Sequence, residues 1–389
     1  MKTLVDNGKV RVRAVEAQAL LQDGTEDERY QGGKWGGLYL RAPEIYFRVL
    51  EMAGDKLVRL KDVAEVRFGI KTGANDFFYL EPLPYRPVCP QCGRVHEEAL
   101  TAEEERAWRL KGAAPPEGTL VAVRNGMGWE GYLEYSVLKP VFASPTEAST
   151  LAVPLEGLGR VFLPPHGDMH SLPSHARAYV EHGEKTTVEV RRGQAKGHRV
   201  ALPHLSTLAG RNPWWWLGNW EDAWIILPMF EDARKYTFWN APQAAVDNAL
   251  YLVYPRDGVD AKALFLVLNS SLFHLMKELM ARPPEGAGAL QMKVNQYEAM
   301  PILDPRLLKG EKDRLWENLL SYRIPPYWEE VGLEPPDFAN KPSPMPHRAT
   351  LDGLMCEQLG LTEEERDEIW RQTARLIWQR VAMAAGEQA

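Results

Sequence analysis

Residues 58–80, VRLKDVAEVRFGIKTGANDFFYL, set Gly69 and Gly73 around Lys71 and Thr72 and then close on three aromatic residues in a row. Val63, Val66 and Phe68 lead into the first glycine, and residues 77–80 form a second extended run, so the pattern predicts two strands joined through a glycine-bearing turn. A Gly-Ile-Lys-Thr-Gly turn presents backbone N–H groups, one ammonium and one hydroxyl at close range, which suits a phosphate. In the alternative reading the glycines only permit positive φ in a hairpin and the aromatics fill a core. Asn75 can hold the turn or touch a base edge. The segment lacks the Gly-Lys-Ser/Thr ending of a nucleotide-binding P-loop, so it gives little support to nucleoside triphosphate binding.

At 389 residues and 45% apolar, the chain can bury a sizeable core, and ordinary domain sizes give two or three units. No apolar run approaches the roughly 18 to 20 residues of a membrane span. The opening MKTLVDNGKVRVRAVEAQ lacks the apolar heart of a signal peptide, so the expected location is cytoplasmic, with no membrane partner. Three cysteines in a chain this long fit a reducing compartment better than a disulfide framework. A net charge of -7 argues mildly against a large surface that coats DNA regardless of sequence, although an acidic average can hide a basic face. Basic residues outnumber acidic ones from Lys185 to Lys235, and the balance reverses from Arg348 to the end.

The expected fold class is α+β, a mostly antiparallel twisted sheet with flanking helices plus a C-terminal helical element. Residues 1–57 read as an N-terminal extension whose APEIYFRVLEMAG spaces Ile45, Val49 and Met52 as a short amphipathic helix, with proline in its first turn and glycine at its end. Residues 58–305 read as the sheet domain. It carries an irregular insertion at 82–118 with an acidic patch around residues 103–105, aromatic and β-branched runs through about Tyr254, one buried helix at 264–280 and a last extended segment at QMKVNQYEAMPILDP. Residues 306–389 form the helical region, in which Thr362 is a candidate cap before a stripe of Ile369, Leu376 and Ile377.

Three further clusters carry chemistry. Cys89, Cys92 and His96 lie in CPQCGRVH, where a Cys-x-x-Cys-Gly knuckle supplies half of a tetrahedral zinc site; no second pair follows, so a structural zinc needs an unidentified fourth ligand, and a metal-free loop is the competing reading. His166, His170 and His175 fall in proline-rich surface turns and are not read as metal ligands. Arg191, Arg192, Lys196, His198 and Arg199, spaced by glycines, can approach a phosphate backbone, or decorate a solvated hairpin tip. Lys293, Asn295 and Gln296 have side chains suited to phosphates and base edges.

KWGGLYLRAPEIYF, LKDVAEVRFGIKTGANDFFYL, GRNPWWWL and LFLVLNSSLFHLMKELM followed by QMKVNQYEAMPI occur in an order that resembles the C-terminal target-recognition region of TaqI-like and Type IIG adenine DNA methyltransferases. The outline is also similar to a target-recognition domain of a Type I specificity subunit. The likeness runs from about Lys34 to Arg380; the order of the motifs is more specific than any one of them. It implies a domain that grips duplex DNA beside a methyltransferase core and reads a short sequence. Lys71, Thr72, Gly73 and Asn75, with Gly69, match the family's glycine turn, and Arg211, Trp214 and Trp215 match its tryptophan motif.

That family pairs the region with a catalytic domain holding S-adenosylmethionine and an Asn/Asp-Pro-Pro-aromatic tetrapeptide. This chain offers only Asn212-Pro213-Trp214-Trp215, without the second proline and without a preceding cofactor loop, and it has no convincing acidic-and-lysine nuclease motif. The resulting expectation is a specificity module for double-stranded DNA, with no catalytic residue and no cofactor of its own, the knuckle being open to either a structural zinc or a metal-free loop. It would act with a methyltransferase or restriction subunit that carries the S-adenosylmethionine. A complete but divergent adenine methyltransferase and a structural adaptor of such a system are the alternatives.

Overall fold

The computed structural model describes residues 2–6, 11–26, 29–30, 39, 41–190, 196–281, 288–308 and 312–386. Its chain divides into two compact units, one formed by Met1–Arg67, Leu227–Phe238 and Val253–Ala389, the other by Phe68–Ile226 and Trp239–Leu252. The fold is α+β, with largely antiparallel sheets, flanking helices and a long helix near the C-terminus. Residues 58–305 therefore contribute to both units.

In the second unit the labelled strands are β1 (Tyr79–Pro82), β2 (Leu120–Asn125), β3 (Glu130–Glu134), β4 (Leu138–Phe142), β5 (Gly159–Phe162), β6 (Thr187–Glu189), β7 (Arg199–Ala201) and β8 (Ala245–Val246). Its helices are α1 (Asn75–Phe78), α2 (Ala102–Leu110) and α3 (Ser174–Lys185). Six strands form one sheet in the order β8-β4-β5-β1-β2-β3, antiparallel throughout except for the β4–β8 pair. Strands β6 and β7 make a separate hairpin.

Alternation sets the inner face. Leu80 on β1, Val121 and Val123 on β2, Leu133 on β3 and Val161 on β5 all point into one cluster with Phe77, Phe78, Tyr179 and Trp215. Burying each large side chain there is worth about 1.5 to 3 kcal/mol. Phe77 stacks on Tyr179 with ring centroids 4.4 Å apart, and the Tyr179 hydroxyl donates to the Phe77 carbonyl at 2.6 Å while accepting from the Asn125 amide at 2.9 Å. The aromatics after the glycine turn thus fill a core, and the polar tip of Tyr179 is satisfied inside it.

Two local expectations change. The strands on either side of the glycine turn, Ala64–Phe68 and β1, belong to different sheets instead of pairing, and the second extended run begins as the helical turn α1. The cause is a backbone-on-backbone approach. The Ile70 N–H donates to the Val246 carbonyl at 2.6 Å, the Asn248 N–H donates to the Ile70 carbonyl at 3.1 Å, and a Cβ on Gly69 would lie 2.2 Å from the Asp247 carbonyl oxygen. The acidic run in the insertion is not a uniform patch either. Glu104 accepts from the Thr101 backbone N–H and hydroxyl at 2.8 and 2.9 Å to cap α2, whereas Glu105 turns inward and ion-pairs with Arg160, both being buried.

The first unit carries the lead-in helix as expected, Glu44–Ala53, with Pro43 before it and Gly54 closing it. Strand Leu57–Arg59 pairs antiparallel with Pro301–Leu303. The single buried helix expected at 264–280 is two helices, Ala261–Val267 and Ser271–Met280, set 62° apart. Asn269 breaks it: its side chain accepts from the Thr237 N–H at 3.0 Å and donates to the Thr237 and Phe265 carbonyls, while the Ser270 hydroxyl caps the next helix at the Phe273 N–H. The last extended segment also contains a helical turn, Val294–Glu298, between its two short strands. Thr362 caps helix Glu363–Ala385, which buries Ile369 and Ile377 with Trp370 and Ala374, Leu376 being only half-buried. Among the described residues no single helix is long and apolar enough to cross a membrane.

Candidate functional site

Gly73 has φ of 76°, and a Cβ there would sit 2.9 Å from the Thr207 Cβ and 3.0 Å from its carbonyl oxygen, so glycine is required both by conformation and by space. The Thr207 hydroxyl donates to the Gly73 carbonyl at 2.8 Å. Thr72 is buried, its hydroxyl donating to the Asn75 side-chain oxygen and accepting from the Ala74 N–H at 3.3 Å. From the other side Arg211 donates to the Thr72 carbonyl at 2.8 Å and to the Lys71 carbonyl at 2.6 Å. Burial lowers the Arg211 pKa, though a guanidinium stays charged. The turn is therefore held rigid by Thr72, Asn75, Thr207 and Arg211, and Lys71 is left exposed with no ion-pair partner among the described residues.

This turn forms one wall of a cleft of about 850 Å³ within the second unit. Residues 71–76 face Gly126 and Met127, the hairpin strand β6 with Val190, Arg199 of β7, residues 205–207 and Asn248. Lys71 and Arg199 thus share a cleft. Arg199 lies opposite Glu189 in the hairpin register, and its guanidinium donates to the Thr187 carbonyl and hydroxyl at 3.2 and 3.1 Å. Asp76 and Glu189 put two carboxylates on the same lining, so the cleft is mixed in charge and suits a few placed contacts better than a uniformly basic groove does.

Lys196 is exposed on the turn before β7, where Gly197 adopts φ of 86°. Arg191 and Arg192 lie outside the described residues. Trp215 is buried in the core, and Trp214, half-buried, packs on Phe77 and Phe78 with centroids 5.4 and 6.3 Å away. Lys293, Asn295 and Gln296 belong to the first unit. Lys293 and Asn295 are exposed, whereas Gln296 is buried and spends its carboxamide on backbone: its oxygen accepts from the Lys293 N–H at 2.9 Å and its nitrogen donates to the Met280 carbonyl at 2.8 Å. Cleft residues that the sequence did not single out include Asp76, Thr187, Glu189, Ser206, Thr207 and Asn248. They come from well-separated segments of the chain, and no local spacing marks them.

The fold resembles that of a type IIG restriction endonuclease. A solved structure described as the type IIG restriction endonuclease BpuSI aligns with a TM-score of 0.51 and 13% identity, over 92% of this chain and 35% of that chain. The present chain therefore spans about a third of that enzyme's length. At that identity the likeness is one of fold. No protein-family model matches the chain, and no curated protein does.

The Cys-x-x-Cys-Gly segment forms a tight hydrogen-bonded turn. The Cys89 N–H donates to the Arg94 carbonyl and the Gly93 N–H donates to the Cys89 carbonyl, both at 2.8 Å, with Gly93 at φ of 71°. Cys92 Sγ lies 3.3 Å from His96 Nε2. A hydrogen bond from the Arg94 backbone, outweighing desolvation, holds the Cys92 thiol down to about 7, with Cys89 and His96 adding to it.

Proposed function

We propose that the chain is a sequence-specific double-stranded DNA recognition module of an adenine DNA methyltransferase or restriction–modification system, acting with a methyltransferase or restriction subunit. The observation that carries this reading is the cleft: a glycine turn braced through its backbone carbonyls presents Lys71 on the same lining as Arg199 of the β6–β7 hairpin. The shared fold with a protein described as a type IIG restriction endonuclease, over about a third of that protein, fits a restriction–modification setting. In this reading Lys71, Lys196 and Arg199 touch phosphates, Asn248 offers its carboxamide to a base edge, and Asn75, whose oxygen holds the Thr72 hydroxyl, has its amide nitrogen to offer. Thr72 and Arg211 act through the turn, Trp214 through the core, and Gln296 as a helix cap. The packed Trp214 and Trp215 disfavour the Asn-Pro-Trp-Trp segment as a base-holding catalytic tetrapeptide.

The test is fluorescence anisotropy on random and selected duplexes across a salt series. Binding should weaken steeply with salt, and Lys71→Ala and Arg199→Ala should each lower the slope of log K against log salt by about 0.9 for a lost phosphate contact. Equal affinity for every duplex would remove the claim of sequence specificity. No salt-dependent binding at all would remove the DNA reading.

A further inference from the structure

Three donor atoms, one each from Cys89, His96 and His175, lie within 4.8 Å of one another, and Cys92 Sγ is 3.3 Å from His96 Nε2. For a tetrahedral zinc with Zn–S near 2.3 Å and Zn–N near 2.0 Å, ligand atoms are separated by about 3.3 to 3.8 Å. Cys89, His96 and His175 are within a side-chain adjustment of that figure, and Cys92, which meets His96 but lies outside that group of three, has to turn its thiol to join them. His175 supplies the ligand that the knuckle lacks.

Both imidazoles have a carboxylate near Nδ1, and that of His96 is hydrogen-bonded to it. His96 Nδ1 is 3.1 Å from Glu98 Oε1, and His175 Nδ1 is 3.4 Å from Glu134 Oε1. On His96 the Glu98 carboxylate favours the tautomer with its proton on Nδ1 and leaves the Nε2 lone pair for a metal, while His175 Nδ1 also has the Ser174 hydroxyl at 3.3 Å. Glu134 is itself anchored, because its two oxygens accept from the His175 and Ala176 backbone N–H groups at 2.8 and 2.9 Å in the first turn of α3. Two histidine rings meet edge to face with centroids 5.1 Å apart, beside Cys89, which is 1% exposed. Placing two imidazoles and two thiols together, each imidazole backed by a carboxylate, has little purpose in packing alone.

We propose that Cys89, Cys92, His96 and His175 bind one structural zinc ion. With four protein ligands the site is closed, so it holds structure and leaves no position for a substrate. It ties the insertion after β1 to the start of α3, the helix whose far end leads into β6 and the cleft. The inference does not depend on the DNA reading, and its test does not use DNA.

The full chain, purified without chelator, should carry about one zinc per chain by elemental analysis. After exchange with cobalt it should show the visible bands of a tetrahedral site with thiolate charge transfer. Glu98→Gln should weaken retention against a competing chelator by roughly 10- to 100-fold. His175→Asn should lose the metal, and His170→Asn, in the same histidine-rich stretch, should keep it. Circular dichroism separates loss of metal from failure to fold, and if His175→Asn does not fold, the Glu98→Gln and His170→Asn results with the parent cobalt spectrum decide. A parent protein without zinc and without a tetrahedral cobalt spectrum overturns the proposal, as does a different resident metal. So does a His175→Asn protein that retains zinc as tightly as the parent.

Discussion

Replacing Arg211 with alanine removes the two hydrogen bonds that brace the Lys71 and Thr72 carbonyls, at 2.6 and 2.8 Å. A hydrogen bond to a charged group contributes about 1.5 to 3 kcal/mol net, and the half-exposed setting lets water take over part of the loss, so the expected cost is about 2 kcal/mol. If the second unit unfolds as one transition, that shifts its melting temperature down by about 4 to 8 °C. Lysine at the same position has one ammonium, cannot fork across two successive carbonyls, and should recover about half of the loss. Scanning calorimetry or tryptophan fluorescence reads the stability. Because Arg211 is argued to brace the turn without touching a phosphate, Arg211→Ala should leave the salt slope of DNA binding unchanged, whereas Lys71→Ala lowers it by about 0.9. The reasoning fails if Arg211→Ala melts within about 1 °C of the parent and instead lowers the slope.

Two other outcomes follow from the packing. Gly69→Ala would press a methyl group 2.2 Å from the Asp247 carbonyl oxygen, so it should cost about 3 kcal/mol or more in thermal melts, while Gly210→Ala, with no atom within 4 Å of its Cβ, should stay within about 0.5 kcal/mol. In the first unit, burial pushes the Glu278 carboxyl up, but Lys235 and Arg380 outweigh it and hold the group down to about 2. A depressed carboxylate pKa adds stability above the unfolded value, here 4.5, and loses it as pH falls towards 2. A pH series of melts should therefore show a steeper acid loss for the parent than for Glu278→Gln in that window, with equal slopes as the contrary result.

Several elements are legible from spacing along the chain. Glu44–Ala53, the Thr362 cap and the Cys-x-x-Cys-Gly knuckle each depend on residues within a few positions of one another. The glycine turn belongs to the same class as far as its need for glycine goes. Its use does not. Thr72 carries a hydroxyl suited to a phosphate and is buried against Asn75; Arg211 and Gln296 carry donors suited to DNA and spend them on backbone carbonyls. Side-chain chemistry does not say which partner wins, since a guanidinium binds a carbonyl or a phosphate with similar geometry. The break at Asn269 escapes the periodicity because its cause, Thr237, lies on a distant segment.

By itself the sequence determined short elements, their caps and the kind of donor each carries, because those follow from contacts along the chain. Tertiary structure alone decided that Lys71 shares a cleft with Arg199 and that His175 meets Cys89 and His96. Those meetings depend on sheet order and on where α3 packs, and long-range packing is set by the summed burial of many side chains that no local spacing records.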